Sequence, residues 1–187
     1  MNKHILILST MSFFISLESC KKDDDDPELP QVLENEPESI TKVRLSFEST
    51  NPTGNSFAAE WSDSDGVGGN AASIDTIRLD SGQTYDLDIS FIDGSGNSEE
   101  DLTFEIQNES DEHLVCFESG LLGTALSNII TDSDGTYPIG IQSEWIVNSK
   151  ANGTMIISLK HQPDGLKNGS CDVGETDVEI EFPVVIN

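Results

Sequence analysis

Histidines are few enough to weigh one at a time. His4 falls in an apolar leader, which leaves His113 and His161. His113 follows Asp111 and Glu112, His161 precedes a Gln162-Pro163 turn, and each flanks a segment with strand character. Imidazole nitrogens together with carboxylate oxygens make a transition-metal donor set. If sheet pairing brings the two histidines together with Glu112 or Glu175, such a site is expected. By themselves, two histidines so far apart in sequence are more often structural or exposed.

Three acidic loops offer a different cation chemistry: Asp63-Ser64-Asp65-Gly66, then Asp93-Gly94-Ser95-Gly96-Asn97 with Glu99 to Asp101, then Asp132-Ser133-Asp134-Gly135. Calcium takes several oxygen ligands, and alternating Asp, Asn and Ser around a Gly turn can supply them. No loop completes an EF-hand, because Trp61 and Ile130 stand where the first acidic ligand belongs. Asp and Gly are in any case the ordinary residues of turns. Asp63 and Asp65 are the calcium candidates. Catalysis has less to build on. The chain lacks Gly-x-Ser-x-Gly, His-Glu-x-x-His and a phosphate loop. Cys116 lies between Val115 and Phe117, surroundings that suit burial rather than a reactive thiolate. The expectation is that the protein is not an enzyme. Trp61, Tyr85, Tyr137 and Trp145 are candidates for a carbohydrate platform, although Trp61 and Trp145 sit at strand positions that favour the core.

The strongest local signal is at the N-terminus. After Lys3 and His4, residues 5–17 are mostly apolar. A run of about a dozen residues falls short of the ~20 that a membrane-spanning helix needs, and fits a secretory signal peptide. It closes at Leu17-Glu18-Ser19-Cys20, which resembles the lipobox of bacterial lipoproteins, with Glu18 departing from the usual small or apolar residue. The resemblance implies cleavage before Cys20 and lipidation of that cysteine (palmitate among the acyl chains), which would hold the chain on a lipid bilayer. The next residues, Lys21-Lys22-Asp23-Asp24-Asp25-Asp26, resemble the export signal of Bacteroidetes surface lipoproteins. They imply an outer-membrane protein facing the cell exterior; the alternative is a lipoprotein facing the periplasm.

The chain has 187 residues, with Lys+Arg 9 against Asp+Glu 35 and a net charge of −26. Removing residues 1–19 takes away one charge of each sign and leaves that value unchanged. Such a balance argues against nucleic acid, whose phosphates demand basic contacts, and against electrostatic docking on anionic lipid. With Cys20 lipidated, Cys116 and Cys171 remain. An exported location permits a disulfide between them; a buried thiol and a loop thiol are the alternative.

Residues 20–40 contain Pro27, Pro30 and Pro37, many acids and few apolar residues, and read as a disordered tether. From residue 41 the apolar pattern has period 2. Val43, Leu45 and Phe47 alternate with polar residues, as do Phe57, Ala59 and Trp61 across an Asn51-Pro52 turn, which predicts a hairpin. Further strands are predicted at 74–79, 85–91, 114–117, 126–131, 139–147, 154–161 and 178–182. Residues 99–112 are ambiguous. Leu102, Phe104 and Ile106 alternate like a strand, whereas the Leu102/Ile106 spacing and the acids at 99–101 favour a short helix. Many short strands with at most one helix predict a single antiparallel β-sandwich of the immunoglobulin-like class over residues 41–187.

The layout Trp61-x-Asp63-x-Asp65-Gly66-x-Gly68, Asp111-Glu112-His113, Leu159-Lys160-His161-Gln162-Pro163 and Gly174-Glu175-Thr176-Asp177-Val178-Glu179 resembles a family of small flavobacterial lipoproteins. That family is commonly labelled as having a type 1 periplasmic-binding fold, a two-lobed α/β architecture, and the strand pattern here points elsewhere. The resemblance implies a TonB-dependent outer-membrane receptor as candidate partner. The leading expectation is thus a non-enzymatic binding or accessory lipoprotein. The alternative is a cation- or transition-metal-binding lipoprotein using His113, His161 and nearby acids. Protease added to intact cells should degrade the domain; protection until the outer membrane is breached would contradict the surface location.

Overall fold

The computed structural model describes residues 38–187 apart from residue 67 and residues 133–135. The leader, Cys20 and the run of residues 21–26 lie outside the described residues. The chain is mainly β, with sheets packed face to face as a sandwich. The first sheet has the order β3-β2-β1-β5-β9-β8, with β6 paired to β5. Its strands are β1 (Lys42–Ser49), β2 (Phe57–Ser62), β3 (Ser73–Ile74), β5 (Thr84–Asp93), β6 (Glu100–Asp101), β8 (Leu126–Ile130) and β9 (Gln142–Val147). The second sheet has the order β4-β11-β10-β7, from β4 (Ile77–Leu79), β7 (His113–Glu118), β10 (Ala151–His161) and β11 (Glu175–Ile186). One helix, α1 (Thr103–Asn108), joins the sheets. This is not the two-lobed α/β architecture implied by the label on the flavobacterial lipoproteins.

The period-2 pattern does what it should. Val43, Leu45 and Phe47 of β1 and Tyr85, Leu87, Ile89 and Phe91 of β5 turn inward and are buried, while Asp86 and Asp88 face out. Trp145 on β9 is fully buried and packs edge-on against Phe47 of its own sheet and Phe117 of the other, at centroid distances of 5.3 and 5.7 Å. Its indole N–H donates to Ser143 Oγ at 2.9 Å, so burial leaves no orphaned donor. Trp145 and Tyr85 are therefore core residues and form no carbohydrate platform; Tyr137 is exposed.

Two local readings are refined. Residues 74–79 are not one strand: β3 pairs with β2, whereas β4 pairs in parallel with β11 of the opposite sheet. The chain changes sheets at Asp75, whose carboxylate accepts the Glu60 N–H. In the ambiguous segment the helical spacing wins. Leu102 and Ile106 are buried, while Phe104, inward in a strand reading, is 73% exposed. Asp101 Oδ1 accepts the Thr103 N–H, and Thr103 Oγ1 accepts the Phe91 N–H, tying the helix start to β5.

Cys116 of β7 and Cys171 are joined by a disulfide with Cα atoms 5.9 Å apart. The bridge fastens the long 162–174 connection to the strand that carries His113. It spans 55 residues of sequence, a closure that stabilises by about 2–4 kcal/mol through the unfolded chain. Replacing both cysteines by alanine should lower the stability read from urea unfolding by that amount; unchanged midpoints would contradict it.

Candidate metal centre

β7 and β10 run antiparallel with His113 directly opposite His161. Side chains opposite each other in such a pair share one face, so the register alone stacks the imidazoles. Their centroids are 4.9 Å apart and their planes 13° from parallel. Both residues are buried, at 1% and 3% exposure.

β11 flanks β10 on the other side, and its pairing slips between Leu159 and Lys160. Leu159 opposes Val178 and Lys160 opposes Thr176, which leaves Asp177 as the extra residue of a β-bulge. A bulge re-aims a side chain that strict alternation would send to solvent. Asp177 turns in: its side chain is 0% exposed, with Oδ2 3.8 Å from His113 Nε2.

Carboxylates close the other sides. Glu109, just after α1, places Oε2 3.8 Å from His113 Nδ1, and its backbone carbonyl lies 3.3 Å from the same nitrogen. Glu112 Oε2 lies 3.7 Å from His161 Nε2. Among the described residues, Glu38, Glu109 and His113 each bring one ligand atom within 4.8 Å of the others. Behind His161, the backbone N–H of Gln162 donates to the Glu112 carbonyl, and its side-chain amide donates to the Ser170 and Val173 carbonyls. Gly174 has φ +83° and lies so close to the His161 carbonyl that a Cβ there would sit 2.2 Å from the oxygen. Only glycine fits that approach.

The electrostatics are unusual for what is missing. His113 Nε2, His161 Nε2 and both Asp177 carboxylate oxygens are buried without a hydrogen-bond partner. The Glu38 amide pulls on the Asp177 carboxylate without hydrogen-bond geometry. Burial lowers the His113 pKa to about 4, reinforced by His161 and only partly offset by the Glu109 carbonyl and Glu112. Burial raises the Asp177 pKa to about 6, offset in part by His161. Glu109 and Glu38 are also raised, first by burial and then by neighbouring acids. Lys167, held by its bond to the Ser110 carbonyl, lies on this side of the domain and further discourages charging of His113. Burial thus keeps the His113 imidazole neutral and able to offer a lone pair. Nδ1 of His113 faces Glu109 and Nε2 faces Asp177, and the tautomer decides which of the two presents its lone pair. A metal-binding histidine commonly ligates through one ring nitrogen while a carbonyl or carboxylate holds the other. An ion must lie in the plane of each ring that binds it. Ligation by both rings therefore requires one of the near-parallel imidazoles to turn.

Of the residues the sequence suggested, the structure brings together His113, His161 and Glu112. Glu175 is a correction: it opposes His161 in register but is exposed, and the bulge delivers Asp177 instead. The Asp63 and Asp65 loop is not part of this cluster. Asp65 accepts from the backbone and side-chain amides of Asn70 and is spent on its own turn. Asp132 likewise accepts from the backbone amides of Gly140, Ile141 and Gln142. Glu38, Glu109 and Asp177 escape sequence reasoning; Asp177 was within reach only as part of the Gly-Glu-Thr-Asp segment.

In the metal-free protein the two shifts act in opposite senses. Asp177 is raised, so its stabilising share is complete below about pH 4 and lost as pH rises through about 6. His113 is lowered, so its share is complete above pH 6.5 and lost as pH falls through about 4. At pH 7.5 Asp177→Asn should therefore raise metal-free stability by roughly 1–2 kcal/mol. A loss of stability at that pH would show that the carboxylate is satisfied. A scan against family models finds no match to this chain, and searches among curated proteins and solved structures find none either.

Proposed function

We propose that this protein is an exported, lipid-anchored module that binds a transition-metal dication between β7, β10 and β11. His113 is the central ligand, with Asp177 and Glu109 beside it and His161 and Glu112 completing the set. One observation carries the reading: two imidazole nitrogens and a carboxylate lie buried in the interior of one sheet seam without a hydrogen-bond partner. Such groups cost free energy unless satisfied, and a dication held by His113 and a carboxylate, with the His161 ring turned toward it, satisfies them. Mixed nitrogen and oxygen donors suit zinc, manganese or iron(II) better than calcium, which prefers oxygen alone. With Cys116 and Cys171 in a disulfide, neither supplies the thiolate that copper(I) favours. The role is binding rather than catalysis. The anchor at Cys20, the surface address in residues 21–26 and a TonB-dependent receptor as partner enter this proposal from the sequence alone.

Calorimetry on the chain from Lys21 onward, with its anchor cysteine removed, tests it. Zinc should give a saturable heat near one ion per chain and raise the melting temperature, because binding to the folded state alone stabilises it. Calcium should give neither. His113→Ala should abolish the heat, and His161→Ala should weaken binding by roughly tenfold to a hundredfold. No saturable zinc heat together with an unchanged melting temperature would overturn the proposal.

A further inference from the structure

Glu38 sits at the point where the polar N-terminal segment meets the sandwich. Pro37 precedes it, and two residues on, Ile40 packs against the core. The Ile40 N–H turns back to the Glu38 carbonyl at 3.0 Å, and the Thr41 N–H donates to Ile92 of β5 at 3.0 Å. The chain is fixed from residue 40 onward by bonds that do not involve the Glu38 side chain. That side chain nevertheless folds back toward the histidines, with one carboxylate oxygen within 4.8 Å of both a Glu109 oxygen and a His113 ring nitrogen.

The Glu38 backbone amide faces the Asp177 carboxylate, but that contact leaves the position of the Glu38 side chain unexplained. The charges facing Glu38 are Glu105 and Glu109 from α1 and its end, Asp177 from β11 and His161 from β10. His161 alone opposes the repulsion. A carboxylate among three carboxylates is pushed outward, toward water. A dication between them reverses the sign of every one of these interactions and draws the same groups together.

We infer that Glu38 is itself a ligand of the bound ion, so that the metal staples the base of the N-terminal tether to α1 and β7 and fixes where the chain leaves the domain. The inference rests on the proposed metal centre and adds a consequence to it. Loading would be felt by the segment that joins the domain to its anchor. The empty site leaves Glu38 repelled by its neighbours, and the occupied site binds it to groups about 70 residues away in sequence, a closure only the ion supplies.

A protease that cuts after glutamate reads this directly on the whole chain from Lys21 onward. Cleavage after Glu38 is followed by mass spectrometry and normalised to cleavage after Glu28, which shares the protease and the metal but not the site. Zinc should slow cleavage after Glu38 by roughly tenfold or more. Glu109→Gln, which leaves the Glu38 bond cleavable, should lose most of that protection, and Glu38→Gln should bind zinc about tenfold more weakly by calorimetry. If zinc binds with full heat while cleavage after Glu38 is unchanged, the staple is wrong and the metal centre stands. If zinc gives no heat, both fall.

Discussion

A carboxylate and two imidazoles buried together without partners are a standing cost to the fold. Each unsatisfied buried polar group costs about 1–3 kcal/mol, more when it carries charge, against a total stability of about 5–15 kcal/mol for a domain. Asp177, His113 and His161 contribute four such atoms within one seam of one sheet. Burial keeps His113 neutral and resists the ionisation of Asp177, and a positive group among them would offset both costs. The surface acids of this very acidic chain face water and carry no such penalty.

The rest of the sandwich can be understood as what holds that seam in place. Trp145, wedged between Phe47 and Phe117, locks the two sheets at β7, so the strand bearing His113 cannot slide. The disulfide from Cys116 ties the 162–174 connection over the same strand, and Gln162 and Gly174 close it onto the backbone of His161. The bulge in β11 is the last element. Without the slip at Lys160, Asp177 would face solvent and the Nε2 side of His113 would lose the carboxylate that now lies 3.8 Å from it.

The sandwich was legible because alternation is a long-range signal. Val43 to Phe47 and Tyr85 to Phe91 each show three or four inward residues in strict period, and half-buried strands are the one structure that fits. The histidine pair was legible as a condition: two strand-end histidines would meet if their strands paired in that register. The acids were harder. Glu175 and Asp177 stand two apart, and regular alternation puts them on one face, so nothing local distinguishes the ligand from the surface acid. A single inserted residue decides, and its position follows from how β10 and β11 pair, which is tertiary information. Glu109 lay in a segment whose helix and strand readings place it differently. Glu38 belonged to a stretch whose composition reads as tether. In the acidic loops, Asp65 and Asp132 had composition right for a cation but spend their oxygens on neighbouring amides, a choice the backbone geometry makes.

The central claim is that these side chains form a metal site of nitrogen and oxygen donors. X-ray absorption at the zinc edge on the loaded protein tests it most directly. The account predicts a first shell of nitrogen and oxygen at about 2.0–2.1 Å, with the outer-shell scattering of at least one imidazole, lost in His113→Ala. A shell of oxygen alone with no imidazole scattering, or a spectrum unchanged by that substitution, would contradict it.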